Sequence, residues 1–385
     1  LIHIDHSIQS NEREDHLFNA YNLIRFDKND GISIRYLYEM LEGQVSVLSS
    51  KFLKPEKAVV LLRALRSSSL YRKDQQSYIL YPNRRLPHFM EKNIIPKNLA
   101  NNSKILKQLI RDKRKDFIEI DIEGKIHFNS QFRNSRILKD ALDQLDVYTE
   151  KDIQTVLNIY EEIFDHQSFT GRSGTFFKYE GLGSIYWHMV SKLLLAVNEI
   201  YYTAITTQAD QKIIDELKTI YYEIKEGIGV HKNPAQYGAF PTDPYSHTPE
   251  HCGAQQPGMT GQVKEDYIAR FGELGMNVKN GCISFKPNLL KQSEFLTKRD
   301  EFNFYNVHGE KTTIPLEKNS LAYTYIQIPI IYTLSDKNQI TITLNNDERK
   351  TINGSELKPD ISRSIFNRTG EITKIEVSIN HTLIN

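Results

Sequence analysis

Residues 181–226 read GLGSIYWHMVSKLLLAVNEIYYTAITTQADQKIIDELKTIYYEIKE. Two helices of different kinds follow from that text. Over 181–202 the apolar residues Leu182, Ile185, Met189, Leu193, Leu194, Val197 and Ile200 fall nearly all round the helix, a pattern that requires burial. Over 208–226 the residues Ile213, Leu217, Ile220 and Ile224 form one stripe opposite a Lys/Glu face. The first helix is therefore expected inside and the second outside it. Inner and outer helices in succession predict an (α/α)6-toroid-like domain, whole or in part; a bundle around a central helix gives the same pattern.

Helical periodicity extends toward the N-terminus. Ile34, Leu37, Leu41, Val45 and Leu48 keep a 3.6-residue spacing, and Pro55 opens a helix with Val59, Leu62 and Leu65 on one face. Thr149 with Asp152 three residues on reads as a capping box before Val156, Tyr160 and Ile163. Between these, residues 97–135 combine a basic helix, Lys104 to Lys115, with a β-like piece, Phe117 to Phe128, as an excursion hairpin. After about residue 275 the period becomes two, in Ile340-Thr-Ile342-Thr-Leu344 and Ile375-Glu-Val377-Ser-Ile379, with a longer β-rich run from Leu321 to Leu334 broken by Pro329. The expected class is α+β in sequence order. A helical barrel-like domain occupies 1–275, and an antiparallel, β-sandwich-like domain occupies 276–385.

Composition narrows the function classes. The chain has 385 residues, 49 Lys+Arg against 48 Asp+Glu and a formal charge of +1, so neither a nucleic-acid footprint nor a polybasic membrane patch is present. The most apolar run, Leu193 to Val197, is far short of a membrane span. Two cysteines, Cys252 and Cys282, form no disulfide framework or zinc spacing; a reducing compartment fits, and the expected location is cytoplasmic. The first residue is Leu rather than Met, so a signal or an upstream domain of the same protein is expected before it. Aromatic content of 10%, with 21 Tyr, suits a carbohydrate site and equally a Tyr-rich core.

Three stretches hold candidate chemistry. Residues 229–265 are rich in Pro, His and Gly and too aromatic for a slack linker, so 229–261 is expected to be a long ordered binding loop, with Tyr237, His247 and Gln256 contacting substrate. Thr260-Gly261 sits just before a helix starting near Gln262, where backbone N–H groups and a hydroxyl suit a phosphate; a plain N-cap is the structural alternative. The second stretch, Thr170 to His188, places Arg172, Glu180, Trp187 and His188 around the start of the buried helix, an aromatic platform with a carboxylate. For Glu180 the alternative is a first-turn acid favoured by the helix dipole, and for His188 a satisfied core histidine. The third is the loop Ser69 to Arg84, where Asp74 is the candidate substrate contact. The loop at Asp27 to Gly31 misses the calcium-binding pattern, and His247/His251 flank Pro249 in a loop, so no metal and no cofactor is expected.

Short patterns across about residues 10–290 resemble the C-terminal half of the inverting glycoside phosphorylases that include cellobiose phosphorylase. They are Met40-Leu-Glu-Gly-Gln44-Val-Ser-Val-Leu48 followed by Pro55-Glu-Lys-Ala58, the Gly-rich strip before residue 185, the Thr260-Gly261 loop, and Phe271 to Met276 followed by Gly281 to Pro287. The resemblance implies an (α/α)6 barrel closed by a β-domain, inverting cleavage of a glycosidic bond, and an oligosaccharide with inorganic phosphate or water as reactants. It also implies a helix at Asp15–Ile24 preceded by a general acid. Asp5 alone is placed to match that acid, without the family's Trp-rich surroundings, so either Asp5 or Glu180 is the acid here or the acid lies upstream. A hydrolase and a non-catalytic glycan-binding or structural module are the competing expectations.

Overall fold

The computed structural model describes residues 2–27, 31–82, 87–145, 147–164, 185–228, 247–248 and 262–384. The chain forms two compact units, Leu1–Tyr78 with Ile185–Asn385, and Ile79–Ser184. Helices dominate before Glu273 and strands after Met276, an α+β chain with a C-terminal sheet.

In the first unit the helix Trp187–Thr206 is the hub. It packs against the helices Leu41–Ser49, Pro55–Ser67, Gln211–Ile228 and Gln262–Glu273. Twelve of its twenty residues are buried, which explains the all-round apolar pattern, and each large side chain so buried contributes about 1.5–3 kcal/mol. Its unburied residues, His188, Lys192, Leu195, Glu199, Tyr202, Thr203 and Thr206 among them, recur every three or four positions and so share one stripe. Gln211–Ile228 lies outside it as expected, burying Leu217, Ile220, Tyr221 and Ile224. Arg63 ties the Pro55–Ser67 helix to it through ion pairs with Glu216 and, at 2.8 Å, Glu223.

The N-terminal segment departs from expectation. The helix is Ile2–Gln9, not Asp15–Ile24, and Leu23–Asp27 pairs with Gly31–Arg35 as a hairpin. Leu17 and Phe18 are buried instead in extended chain, where the amide of buried Gln44 accepts from Phe18 N–H at 2.8 Å and donates to its carbonyl at 2.9 Å. A side chain thus supplies the partners that a helix would have supplied internally. The 3.6-residue stripe holds only from Leu41 onward, because Ile34 stands opposite Ile24 in the hairpin.

The second unit has its own core of Ile105, Leu106, Leu109, Phe128, Leu138, Leu142, Val156, Tyr160 and neighbours. The excursion appears as the helix Lys104–Arg111 and a hairpin pairing Ile118–Ile120 with Ile126–Phe128. Buried Asn93 closes the unit by donating to Phe128 O at 2.7 Å and accepting from Phe128 N at 3.0 Å. Thr149 and Asp152 cap the helix Glu150–Phe164 reciprocally, as read from the sequence.

After Met276 come two hairpins, Met276–Lys279 with Cys282–Phe285 and Asp300–Tyr305 with Lys311–Leu316. A five-stranded sheet follows in the order Ser320–Tyr325, Ile328–Ser335, Ile372–Asn380, Gln339–Leu344, Arg349–Asn353. One pairing departs from the antiparallel expectation. Ile330–Ser335 runs parallel to Ile375–Asn380, which a short hairpin loop cannot connect; the intervening chain contains two strands and the helix Pro359–Phe366. Pro329 is tolerated because the parallel pairing begins one residue later, at Ile330, and the run breaks instead at Ile326–Gln327, both at positive φ. One sheet face, with Ile330, Tyr332, Ile340, Ile342, Ile375 and Val377, packs on Met276, Ile283, Phe285, Leu290 and Ile365.

Candidate functional site

At the N-terminal end of the central helix four short strands converge. Tyr71–Arg72 and Ser77–Tyr78 form a hairpin, Ser77–Tyr78 contacts Ile185–Tyr186, and Ile185–Tyr186 pairs with His247–Thr248, Tyr186 facing His247 in register. The ladder therefore brings the middle of the 229–261 stretch, at His247–Thr248, beside the residues that lead into His188. Gln262, directly after Thr260-Gly261, opens the helix Gln262–Glu273 against the same hub.

Glu265, in the first turn of that helix, meets His188. His188 Nε2 lies 3.3 Å from Glu265 Oε1, with side-chain exposures of 15% and 12%, and Nδ1 lies 3.3 Å from the Tyr186 hydroxyl. Among the described residues neither His188 Nε2 nor Glu265 Oε2 has a hydrogen-bond partner, although both atoms are buried. The Nε2–Oε1 approach is thus electrostatic contact without hydrogen-bond alignment. Buried polar atoms left in this state cost stability unless a ligand or solvent group answers them.

A pocket of about 440 Å³ adjoins Glu265. Glu42, Ser46 and Ser49 line it from one helix, and Met189, Lys192, Leu195 and Glu199 from the hub. Lys192, Leu195 and Glu199 continue the stripe that starts at His188. Lys192 makes no ion pair among the described residues. Carboxylates, hydroxyls and one ammonium over an apolar floor are the means by which a protein holds a neutral polyol. The groups that carry this arrangement were mostly not singled out in the sequence. Glu265 follows Gly261 by one helical turn, but nothing local marks its partner as His188.

The other expected site residues fall as follows. Trp187 is fully buried, a core side chain with no open stacking face. Asp74 is half exposed and forms a bidentate pair with Arg72, at 2.6 and 3.0 Å, in the turn before Ser77–Tyr78, so its hairpin adjoins the site. Asp5 is exposed on the helix Ile2–Gln9, whose other face borders a groove lined by His3, Ile4, Ser7, Ile8 and Phe18. Arg172, Glu180, Tyr237, Gln256, Thr260 and Gly261 lie outside the described residues, as does the side chain of His247.

A second buried carboxylate is structural. Glu273, 3% exposed, accepts from the Tyr221 hydroxyl at 2.6 Å and pairs with Lys225 and Arg270 at 2.5 Å each. Burial pushes its pKa up, but Lys225, Tyr221 and Arg270 outweigh that and hold it below the ordinary value. Arg270 continues to Glu294 at 2.7 Å, so the network fastens the helices Gln211–Ile228 and Gln262–Glu273 to the start of the β region.

Residues 86–167 match the family model described as GH149 phosphorylase insertion domain 2. The match falls inside the compact unit Ile79–Ser184, so sequence and contact pattern delimit the same piece. Insertion also accounts for the first unit's continuity, because Ser77–Tyr78 and Ile185–Tyr186, which bracket the insertion, lie against each other. The match relates the chain to glycoside phosphorylases through this domain. No curated protein matches the chain. Among the described residues no helix is long and apolar enough to cross a membrane, and no group of three or more His, Cys, Asp or Glu is placed to hold a metal ion.

Proposed function

We propose that this chain is part of a glycoside phosphorylase that cleaves an oligosaccharide with inorganic phosphate and inverts the anomeric centre. The observation that carries the reading is the coincidence of the insertion-domain match, 86–167, with a compact unit of the chain. The polar pocket at the head of the hub helix supports it as a sugar site. In the reaction a phosphate oxygen attacks the anomeric carbon, the glycosidic C–O bond breaks, and a carboxylic acid protonates the leaving oxygen. Asp5 or Glu180 is assigned as that acid. His247, Thr260 and Gly261 are assigned to the phosphate side, and Asp74, Arg172, His188, Tyr237 and Gln256 to the sugar, with Trp187 as a buried support. The hub helix and the four helices packed on it then belong to an (α/α) barrel within 1–275, closed by a sandwich-like β-domain at 276–385.

The test is the reverse reaction. The intact protein is incubated with a panel of sugar 1-phosphates of both anomeric forms and oligosaccharide acceptors, and inorganic phosphate is measured. Release that requires an acceptor and one anomer supports the reading. Absence of release with every pair favours the glycan-binding module, a reading that draws on the exposed, unpaired position of Asp5 among the described residues.

A further inference from the structure

We propose that His188 Nε2 and Glu265 Oε2 together bind one hydroxyl-bearing group of the substrate, Nε2–H donating to its oxygen and the carboxylate accepting its proton. The inference rests on the reading of this pocket as the substrate site and assigns Glu265 a role in it. The two atoms are buried without hydrogen-bond partners among the described residues, and Nε2 lies 3.3 Å from Oε1, the other oxygen of the same carboxylate, so a single oxygen can reach both Nε2 and Oε2. When the Tyr186 hydroxyl donates to Nδ1, the ring proton sits on Nε2 and that nitrogen becomes a donor. One orphaned donor beside one orphaned acceptor selects a group that both accepts and donates. A hydroxyl does so. A fully ionised phosphate does not, because it has no proton for Glu265 and its charge is repelled by the carboxylate. Glu265, though not His188, also lines the adjoining pocket beside Lys192 and Glu199, which puts the clamped group at the edge of that pocket.

The matching chemistry has two sources, a sugar hydroxyl or the P–OH of singly ionised phosphate. The intact protein and its Glu265→Gln variant are titrated calorimetrically with D-glucose, D-galactose, D-mannose, their single-deoxy analogues and inorganic phosphate, with melting curves as a folding control. For a sugar hydroxyl, one deoxy analogue binds the unsubstituted protein weaker by roughly tenfold to a hundredfold, and E265Q weakens the parent sugar by a similar factor without further weakening that analogue. For the acid phosphate, E265Q changes phosphate affinity by roughly tenfold and leaves every sugar unchanged. Should E265Q fail to fold, the deoxy scan and the phosphate titration on the unsubstituted protein with His188→Asn supply the same comparison. Affinities within twofold for all probes across the variants, or no binding of any probe, overturn the proposal. Turnover is measured separately. Binding with this pattern but no phosphorolysis retains the clamp and rejects the phosphorylase reading.

Discussion

Replacing Glu273 by Gln removes the central charge of a buried ionic network in the first unit, and its cost follows from the geometry. The carboxylate is 3% exposed, whereas Lys225 and Arg270 are 33% and 41% exposed and regain water when it is neutralised. Breaking a buried pair costs about 3–5 kcal/mol, and partial resolvation of the two cations places this case near the lower end, about 3 kcal/mol. For a unit of this size that shifts the melting temperature by roughly 5 °C or more. Because Glu273 titrates below its ordinary value in the folded state, its contribution is complete above the unfolded carboxyl's pKa and is lost as pH falls through the lower, folded one. The stability gap between the parent and E273Q, measured by urea unfolding, is therefore constant near neutrality and closes below about pH 4.5. The double substitution Glu273→Leu with Lys225→Met removes both charges and is expected to cost less than E273Q alone. A loss under 1 kcal/mol at pH 7, or a gap that widens on acidification, refutes the network as a structural fastening.

Three further outcomes are expected. Gly275 sits at φ +67° after the helix Gln262–Glu273, where an added Cβ meets the Lys286 backbone at 2.1 Å, so Gly275→Ala lowers stability by about 2 kcal/mol or more in urea unfolding. Asn93→Ala strips both hydrogen bonds from Phe128 inside the second unit and costs about 2–3 kcal/mol, read as earlier proteolysis confined to residues 79–184. Residues 79–184 expressed alone melt cooperatively, since their core contains its own buried cluster; a non-cooperative melt contradicts the division into two units.

Local patterns in the sequence exposed those parts of the fold that local forces determine. The buried hub helix, its amphipathic neighbour, the Pro55 start and the Thr149–Asp152 cap all depend on residues within two turns of one another. What escaped was long-range. Phe18 has its backbone bonded by the Gln44 amide of a different element, and Ile34 is a strand residue because it faces Ile24. The parallel pairing of Ile330 with Ile375 has no local mark either. Lys358-Pro359-Asp360 did carry a local signal, a Pro at the first helical position with an acid after it, and its helix was readable. At the site, His188 was visible from its place on the buried helix. Glu265 was not, because only the approach of two helices reveals its partner.

The most direct test is ³¹P NMR of the intact protein incubated with an oligosaccharide panel, with and without inorganic phosphate. Appearance of a sugar 1-phosphate resonance in phosphate alone, with anomeric configuration opposite to the cleaved bond, is the predicted result. Release of free reducing sugar at the same rate without phosphate, or a 1-phosphate of retained configuration, contradicts the account.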